Sequence, residues 1–268
     1  MQKTIFITGA SAGLGKATTK LFQSKGWNVI ATMRKPEEDK ELYNLENVTV
    51  IELDVTNPKQ IDETVKSILE NYSIDVVLNN AGYGLLGPLE SLSDEQITKQ
   101  INTNLLGVIR VTKAFIPYFR ENKRGLFLNI TSLIGLIGYP TCSVYSATKF
   151  AVDGFSESLA YDLAHFGIDV KIIAPGGIQT DFAGRSMDGG MHDAYQKLVD
   201  KVSEGYSAEK VREFSTAEHI ADVIYQAATD NKQQLRYLAG SDAISVYGER
   251  MKIGTEKHYT KMHEMFTY

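Results

Sequence analysis

The stretch KTIFITGASAGLG, at residues 3–15, decides the fold. Its first half is a short apolar run rich in β-branched residues, as expected of a buried parallel strand. A glycine-rich turn follows, and a helical pattern begins directly after it. Such a turn offers free N–H groups, few Cβ atoms and a favourable helix dipole to an anionic phosphate. We therefore expect a nucleotide-binding turn here, although a plain strand-to-helix turn could use the same glycines.

The spacing of these glycines is G-x-x-x-G-x-G, which differs from the G-x-G-x-x-G of the ordinary dinucleotide fingerprint. The position after the first strand of a βαβ unit nevertheless favours a nucleotide site. The candidate coenzyme contacts in this turn are Gly9, Ser11, Gly13, Leu14 and Gly15.

Short apolar runs alternate with longer helical patterns along the chain. Predicted strands cover residues 3–8, 28–32, 48–53, 76–79, 125–131, 169–174 and 235–239. Predicted helices cover residues 14–25, 58–71, 94–122, 143–166 and 217–229. This order predicts an α/β fold with a doubly wound, mostly parallel, seven-stranded sheet and helices on both faces.

Two segments break the alternation, at residues 180–215 and 241–268. Long irregular segments in compact domains are often functional lids. We therefore expect a single domain, residues 1–268, with a substrate lid at 180–215 and a polar, aromatic tail at 241–268.

Composition narrows the classes of function. The 268 residues carry 28 basic and 33 acidic side chains, a net charge of −5 that argues weakly against a nucleic-acid binder. No apolar run is long enough for a membrane span, and the N-terminus does not read as a signal peptide. The single Cys142 excludes an intrachain disulfide and a multi-cysteine metal site. The histidines are scattered and give no metal motif, so we expect no bound metal. The lone cysteine and the lack of a signal-peptide pattern lead us to expect a cytoplasmic protein.

The end of the second predicted strand indicates which coenzyme is bound. An acidic residue there would bind the adenosine ribose of NAD, but Met33 stands near that position, followed by Arg34 and Lys35. A guanidinium can grip a 2′-phosphate and stack on adenine. The sequence thus favours NADP(H) over NAD(H), unless Arg34 is merely a solvated surface charge.

Tyr145 and Lys149 lie four residues apart in a predicted helix, which places both side chains on one face. A nearby ammonium would lower the pKa of the phenol and make it a better acid–base catalyst. Chance predicts about one such pair in this chain, and Tyr206/Lys210 is a second. Only the first pair has a serine, Ser132, just past a predicted strand and 13 residues upstream. We therefore expect Tyr206/Lys210 to be a chance match.

Several motifs in order resemble the short-chain dehydrogenase/reductase family, in its single-domain branch, over about residues 3–239. They are Thr8–Gly15, Asn79-Asn80-Ala81-Gly82, Asn104 within Asn104-Leu105-Leu106-Gly107, Ser132, Tyr145-Ser146-Ala147-Thr148-Lys149 and Pro175-Gly176-Gly177-Ile178-Gln179-Thr180. Each match alone is weak, and the joint match is strong.

The resemblance implies a role for each residue. Tyr145 would be the general acid/base, Ser132 would hydrogen-bond the substrate oxygen, and Lys149 would bind the nicotinamide ribose and tune Tyr145. Asn104 would hold a water in a proton relay. Further coenzyme contacts implied are Asp54, Val55, Asn80, Ala81, Gly82, Pro175, Gly176, Ile178 and Thr180. Some of these could instead be turn or cap residues.

These inferences converge on an NADP(H)-dependent oxidoreductase that interconverts a carbonyl and an alcohol on a small, apolar substrate. Apolar side chains in the lid and around the catalytic serine favour such a substrate, but they could equally pack the lid down. A non-enzymatic NADP(H) sensor or scaffold on the same fold is the alternative, and epimerase or dehydratase chemistry is a further one. The resemblance also implies a homodimer or homotetramer.

Overall fold

The computed structural model describes residues 2–179 and 187–267. Its strands, in chain order, are β1 Thr4–Thr8, β2 Asn28–Met33, β3 Val48–Glu52, β4 Val76–Asn79, β5 Gly84–Leu86, β6 Gly125–Ile130, β7 Ile168–Pro175, β8 Ile178–Gln179, β9 Met187–Gly189, β10 Ser215–Thr216 and β11 Arg236–Ala239. Its α-helices are α1 Gly13–Ser24, α2 Pro58–Asn71, α3 Asp94–Ile101, α4 Gly107–Asn122, α5 Ser143–Ala164, α6 Gln196–Glu204, α7 Ala208–Val211, α8 Ala217–Thr229, α9 Ser241–Ile253 and α10 Thr255–Phe266.

Seven strands form one sheet in the order β11-β7-β6-β4-β1-β2-β3. Every neighbouring pair in this sheet is parallel. The predicted doubly wound sheet is confirmed. The chain winds outward from β1 in one direction and from β4 in the other, so a crevice opens at the carboxyl ends of these two strands. Ligands of open α/β sheets bind in such a crevice.

The sheet is buried on both faces, as its continuously apolar strands require. Side chains alternate between the faces along β1: Phe6 packs on one side, while Ile5 and Ile7 pack on the other. Phe6 joins an aromatic cluster with Phe115, and their ring centroids are 4.9 Å apart. Packing on both faces holds each strand in place, and the residues directly beyond its end are therefore held in place as well.

Two predicted helix starts have the expected caps. The Asn57 side chain accepts a hydrogen bond from the Gln60 N–H, with Pro58 in the first turn. Ser93 and Gln96 form a reciprocal capping box at the start of α3. The predicted single helix 94–122 is wrong in one respect, because a π-helical turn, Asn102–Leu106, separates α3 from α4.

Both segments predicted to be irregular contain regular structure. The described part of the lid pairs β9 with β5 and then forms α6 and α7. The tail forms α9 and α10, which meet at Gly254, where φ is +86°. Residues 180–186 of the predicted lid lie outside the described residues. Across residues 2–179 and 187–267, no helix combines the length and the apolar character needed to cross a membrane.

Candidate active site

Ser132, Tyr145 and Lys149 come together beyond the carboxyl ends of the central strands. Ser132 follows β6 by two residues, and the other two lie in the first turns of α5. The Lys149 ammonium donates a hydrogen bond of 2.9 Å to the carbonyl oxygen of Ile130, the last residue of β6. This bond fixes α5 against the strand end, so the structure groups the three residues as the sequence predicts.

The ionisation of Tyr145 differs from the expectation. Burial raises the pKa of its phenol to about 12, and the hydrogen bond with Ser132 opposes that rise. Burial also lowers the pKa of Lys149 to about 8. The Lys149 nitrogen lies 5.8 Å from the centroid of the Tyr145 ring. The predicted lowering of the phenol's pKa by this ammonium is therefore not found, because desolvation dominates. At neutral pH, Tyr145 is protonated and Lys149 is mostly charged.

Two glycines lie beside the buried lysine. A Cβ added at Gly135 would lie 2.9 Å from the Cβ of Lys149, and one at Gly82 would lie 3.8 Å from its ammonium nitrogen. Gly82 stands in the motif after β4 that the sequence singled out. Gly135 was missed, although its position three residues after Ser132 is visible in the sequence. Gly135 therefore allows the backbone to approach Lys149 closely, whereas a Cβ at Gly82 would make an ordinary contact with the ammonium.

Asn104 lies fully buried in the π-helical turn. Its amide nitrogen donates to the carbonyl oxygen of Tyr83 at 2.8 Å, and its amide oxygen accepts from the Tyr83 N–H at 3.1 Å. The same oxygen lies 3.1 Å from where a Gly82 Cβ would stand. The side chain thus clamps the segment after β4, and a water held by Asn104 stays a prediction.

The glycine-rich turn after β1 is tied to the segment after β4. The Asn80 amide donates to the carbonyl oxygens of Thr8 and Gly9, at 2.9 and 3.0 Å. A Cβ at Gly9, where φ is +71°, would lie 2.8 Å from the Cα of Ala81. A Cβ at Gly15 would lie 2.3 Å from the carbonyl oxygen of Gly9. These positions therefore require glycine for packing as well as for the turn.

The start of α1 is open. No side chain caps it, and its first turn contains no acidic residue. Ser11 and Gly13 are exposed at this end, whereas Leu14 is buried beneath it. An uncapped helix start with exposed N–H groups fits an anionic phosphate.

A cleft of about 410 Å³ adjoins this helix start and contains Arg34. Its lining residues are Ser11, Lys16, Arg34, Lys35, Glu38, Asp39, Lys40 and Glu41. Lys35 pairs with Glu38 at 2.7 Å, and Lys16 pairs with Glu41 at 2.8 Å. Arg34 forms no ion pair within the described residues, so its guanidinium is available to an anion.

Sequence reasoning missed the part that Lys16, Asp39 and Glu41 play in this cleft. Lys16 also contacts Asp39 at 3.5 Å. The pKa of Glu41 is lowered to about 2 by hydrogen bonds from Lys16 and Lys20. The basic and acidic side chains are 21 to 25 residues apart in the sequence, so only the winding of β1, α1 and β2 brings them together.

Asp54 and Val55 follow β3, which is an edge strand of the sheet, so they lie farther from its centre than the residues that follow β1 and β4. One Asp54 oxygen accepts from both the N–H and the hydroxyl of Thr56, at 2.8 and 2.7 Å. Val55 is buried against Gly107, where a Cβ would lie 2.9 Å from a Val55 methyl carbon. Asp54 thus caps its own turn, and contact with adenine stays a prediction.

The segment after β7 is held from the far end of the chain. Pro175 ends β7, and the Gly176 N–H donates to Ala239 at 2.9 Å. The Gly177 N–H donates to a carboxylate oxygen of Asp242 at 2.7 Å. Ile178 lies in the short strand β8, whereas Thr180 lies outside the described residues. Sequence reasoning missed Asp242, which acts on this loop from the start of α9.

The described lid residues do not reproduce a catalytic pair. Lys210 pairs with Glu213 at 3.1 Å, while the Tyr206 ring packs on Phe214 with centroids 6.0 Å apart. Among residues 2–179 and 187–267, no group of three or more histidine, cysteine or acidic residues could hold a metal ion.

Comparisons with known proteins agree with this geometry. The family described as short chain dehydrogenase matches residues 3–189. Oxidoreductase BOA17 of Botryotinia fuckeliana is 39% identical over 258 residues, which cover 94% of each chain. A short-chain dehydrogenase structure from Streptomyces avermitilis gives a TM-score of 0.86 at 29% identity, over 98% of this chain and 96% of the other. The structure of ElxO with NADP bound gives a TM-score of 0.78 at 29% identity, over 91% of this chain and 100% of the other.

The buried Lys149 predicts a specific pH dependence of stability in the coenzyme-free protein. Its pKa is about 8 in the folded protein, below the 10.5 of a lysine that is not buried. The unfolded chain therefore binds more protons between these values, and the free energy of unfolding rises with pH. Relative to Lys149→Met, wild type should gain up to roughly 3 kcal/mol from pH 8 to pH 10.5. Urea denaturation across this range measures the difference.

The matched control is Lys113→Met, since Lys113 is exposed on α4. This control should keep the pH slope of the wild type. Equal slopes for the wild type and Lys149→Met would contradict the assigned burial of the charge.

Proposed function

Since the chain belongs to the short-chain dehydrogenase family, we propose that this oxidoreductase uses NADP(H) to interconvert a carbonyl and an alcohol. The observation that carries the proposal is the hydrogen bond from Lys149 to Ile130, at 2.9 Å. It holds Tyr145 and Ser132 side by side at the carboxyl edge of the sheet. That edge adjoins the crevice where the strand order reverses, which is where such folds bind ligands.

The residues present fit a dinucleotide. The uncapped start of α1 suits the pyrophosphate, and the segment from Pro175 to Ile178 suits the nicotinamide end. Asn80, Ala81 and Gly82 border the crevice between these two sites. When bound, NADPH supplies a hydride to the substrate carbonyl. The chain's own side chains must then orient the substrate and supply a proton to its oxygen.

Tyr145 supplies that proton in the proposed mechanism. Its phenol is protonated at neutral pH, because burial raises its pKa. The hydroxyl donates to the carbonyl oxygen during reduction and accepts the alcohol proton in the reverse direction. The Ser132 hydroxyl lies beside it and donates a hydrogen bond to the same oxygen. The Lys149 ammonium has two further N–H donors, which suit a ribose and favour the phenolate that forms.

Arg34 carries the proposed preference for NADP(H). Its guanidinium is unpaired within the described residues and lies in the cleft beside Ser11. Two neighbouring cations, Lys16 and Lys35, are already paired with carboxylates, whereas Lys40 lines the same cleft and forms no ion pair within the described residues. A 2′-phosphate would therefore meet one free guanidinium, whereas the 2′-hydroxyl of NAD(H) would gain little there.

The substrate side of the proposed site is apolar. Leu85 of β5 and Ile137 of the segment after β6 are buried, and Tyr139 packs against Phe266 of α10 with ring centroids 5.3 Å apart. We propose a single coenzyme-binding and catalytic domain, in which the lid and the tail helices border an apolar substrate. A homodimer or homotetramer stays a prediction.

Replacing Tyr145 with phenylalanine removes the proton donor and leaves the ring in place. Tyr145→Phe should lower kcat for carbonyl reduction by at least about 10²–10⁴-fold, the usual range for lost acid–base catalysis. Stopped-flow measurement of NADPH oxidation with a panel of apolar ketones tests this. Fluorescence titration should show nearly unchanged NADPH binding.

Tyr161→Phe is the control, because Tyr161 lies on the same helix with 68% of its surface exposed. It should retain wild-type kcat. Full activity of Tyr145→Phe would exclude the mechanism, and a wild type that binds NADPH but reduces no carbonyl would favour a sensor or scaffold.

Replacing Arg34 with alanine removes the proposed partner of the 2′-phosphate. Arg34→Ala should weaken NADPH binding by about 10- to 100-fold, as expected for losing a charge-assisted hydrogen bond. NADH binding should change little. Fluorescence titration of both coenzymes measures the two affinities.

Arg124→Ala is the matched control, because it also removes one positive charge. Arg124 is exposed directly before β6 and therefore lies at the amino ends of the strands, opposite the proposed coenzyme site. It should bind both coenzymes as the wild type does. Equal NADPH and NADH affinities in the wild type would show that Arg34 does not select the coenzyme.

A further inference from the structure

Residues 176–179 follow β7 at the same edge of the sheet as Ser132. Strands β6 and β7 are neighbours in the sheet. Just beyond β6, the Thr131 N–H donates to the carbonyl oxygen of Ile173 at 2.8 Å. Strand β7 continues two residues past Ile173 and ends at Pro175. The segment 176–179 therefore begins one strand away from the proposed catalytic serine, at the end of the crevice that we assign to the nicotinamide.

Hydrogen bonds hold this segment from two sides. The Gly177 N–H donates to the Asp242 carboxylate at 2.7 Å, and the Gly177 carbonyl oxygen accepts from the Ser215 N–H at 3.3 Å. The Gln179 amide donates to the carbonyl oxygen of Phe214 at 2.6 Å. The end of the lid thus supplies one side of the clamp, and the start of α9 supplies the other through the Asp242 side chain.

The clamp is packed closely enough to require glycine at both positions after Pro175. A Cβ added at Gly176 would overlap both oxygens of the Asp242 carboxylate, and a Cβ added at Gly177 would lie 2.5 Å from the Phe214 ring. A larger residue at Gly176 would therefore push the carboxylate away from the Gly177 N–H. Asp242 and Gly176 consequently act as a matched pair.

The helix that carries Asp242 does not by itself account for an aspartate there. An acidic side chain in a first helical turn interacts favourably with the helix dipole, and the N-cap of α9, Gly240, has no side chain. The Asp242 Oδ2 accepts from Gly177, however, while its Oδ1 is buried without a hydrogen-bond partner among the residues that the structure describes. A buried oxygen without a partner costs free energy. The fold accepts this cost while Asp242 holds the segment after β7.

We propose that Asp242 is a positioning residue, which holds the segment after β7 in the place where the nicotinamide end of the coenzyme binds. This inference rests on the proposed use of NADP(H). The start of α1 and Arg34, to which we assign the pyrophosphate and the 2′-phosphate, follow β1 and β2. Strands β6 and β4 separate them from β7. The loss of Asp242 should therefore affect binding at one end of the coenzyme only.

Two ligands separate the ends of the coenzyme. NADP⁺ contains the nicotinamide, whereas 2′-phospho-ADP-ribose lacks it and keeps the rest of the molecule. Asp242→Ala should weaken NADP⁺ binding about tenfold, as expected when one hydrogen bond to a charged group is lost, and should leave the binding of 2′-phospho-ADP-ribose unchanged. Asp242→Asn should restore most of the NADP⁺ affinity, because its amide oxygen can still accept from Gly177. Isothermal titration calorimetry measures both affinities.

Asp222→Ala is the matched control, because it removes an exposed carboxylate from α8. It should bind both ligands as the wild type does. Amide hydrogen exchange without coenzyme adds a second readout, since the Gly177 N–H should exchange faster in Asp242→Ala and at the wild-type rate in Asp222→Ala.

Gly176→Ala tests the contact independently of the charge. It should weaken NADP⁺ binding in the wild-type background, because the new Cβ displaces the Asp242 carboxylate. It should add little to Asp242→Ala, where that carboxylate is already gone.

Unchanged NADP⁺ affinity in Asp242→Ala, or an equal loss of affinity for both ligands, would overturn the inference. Additive effects of Gly176→Ala and Asp242→Ala would also overturn it. Each of these outcomes leaves the proposed function intact as long as the wild type binds NADP⁺. A wild type that binds neither ligand would instead remove the proposed function and the inference together.

Discussion

The hydrogen bond from the Lys149 ammonium to the carbonyl oxygen of Ile130 ties the first turns of the catalytic helix to the end of β6 in the central sheet. The strand supplies a fixed end, since both faces of the sheet are buried. The helix supplies Tyr145 one turn away, on the same face as the lysine. Ser132 lies two residues beyond the strand end. The position of each reactive group therefore follows from where one buried strand stops and how one helix is attached to it.

This arrangement is costly for the folded protein. Desolvation disfavours the charged form of Lys149 and the ionised form of Tyr145, as the directions of their pKa changes show. Gly135 leaves room for the lysine, because a Cβ at this position would crowd the Cβ and backbone of Lys149. A buried cation beside a protonated phenol is common where acid–base chemistry is carried out. The fold keeps the charged Lys149 buried at a cost in stability near neutral pH, and we attribute this to function.

Much of the architecture could be predicted from the sequence, because it follows local rules. Residues 3–15 specify a strand, a turn and a helix, and Asn57-Pro58 and Ser93 specify helix starts. The interruption at Asn102–Leu106 could not be predicted in this way, since a π-helical turn depends on the clamp between Asn104 and the backbone of Tyr83. The tail helices were missed because their apolar residues are few and loosely spaced.

The site could be predicted where its residues follow strand ends, as Ser132 and Asn80 do. Contacts between distant segments could not: Asp242 binds Gly177 across 65 residues, and no local pattern reports it. The direction of the Tyr145 pKa change could not be predicted from the sequence either, because the burial of a side chain depends on the whole fold. Tyr206 shows the same limit, since no local pattern reports that its ring packs on Phe214.

The most direct test is a crystal structure of the protein soaked with NADP⁺. The coenzyme should lie across the carboxyl edge of the sheet, with its 2′-phosphate on Arg34 and its nicotinamide beside Tyr145. A dinucleotide bound elsewhere, or a Tyr145 hydroxyl separated from the nicotinamide by protein, would contradict the account.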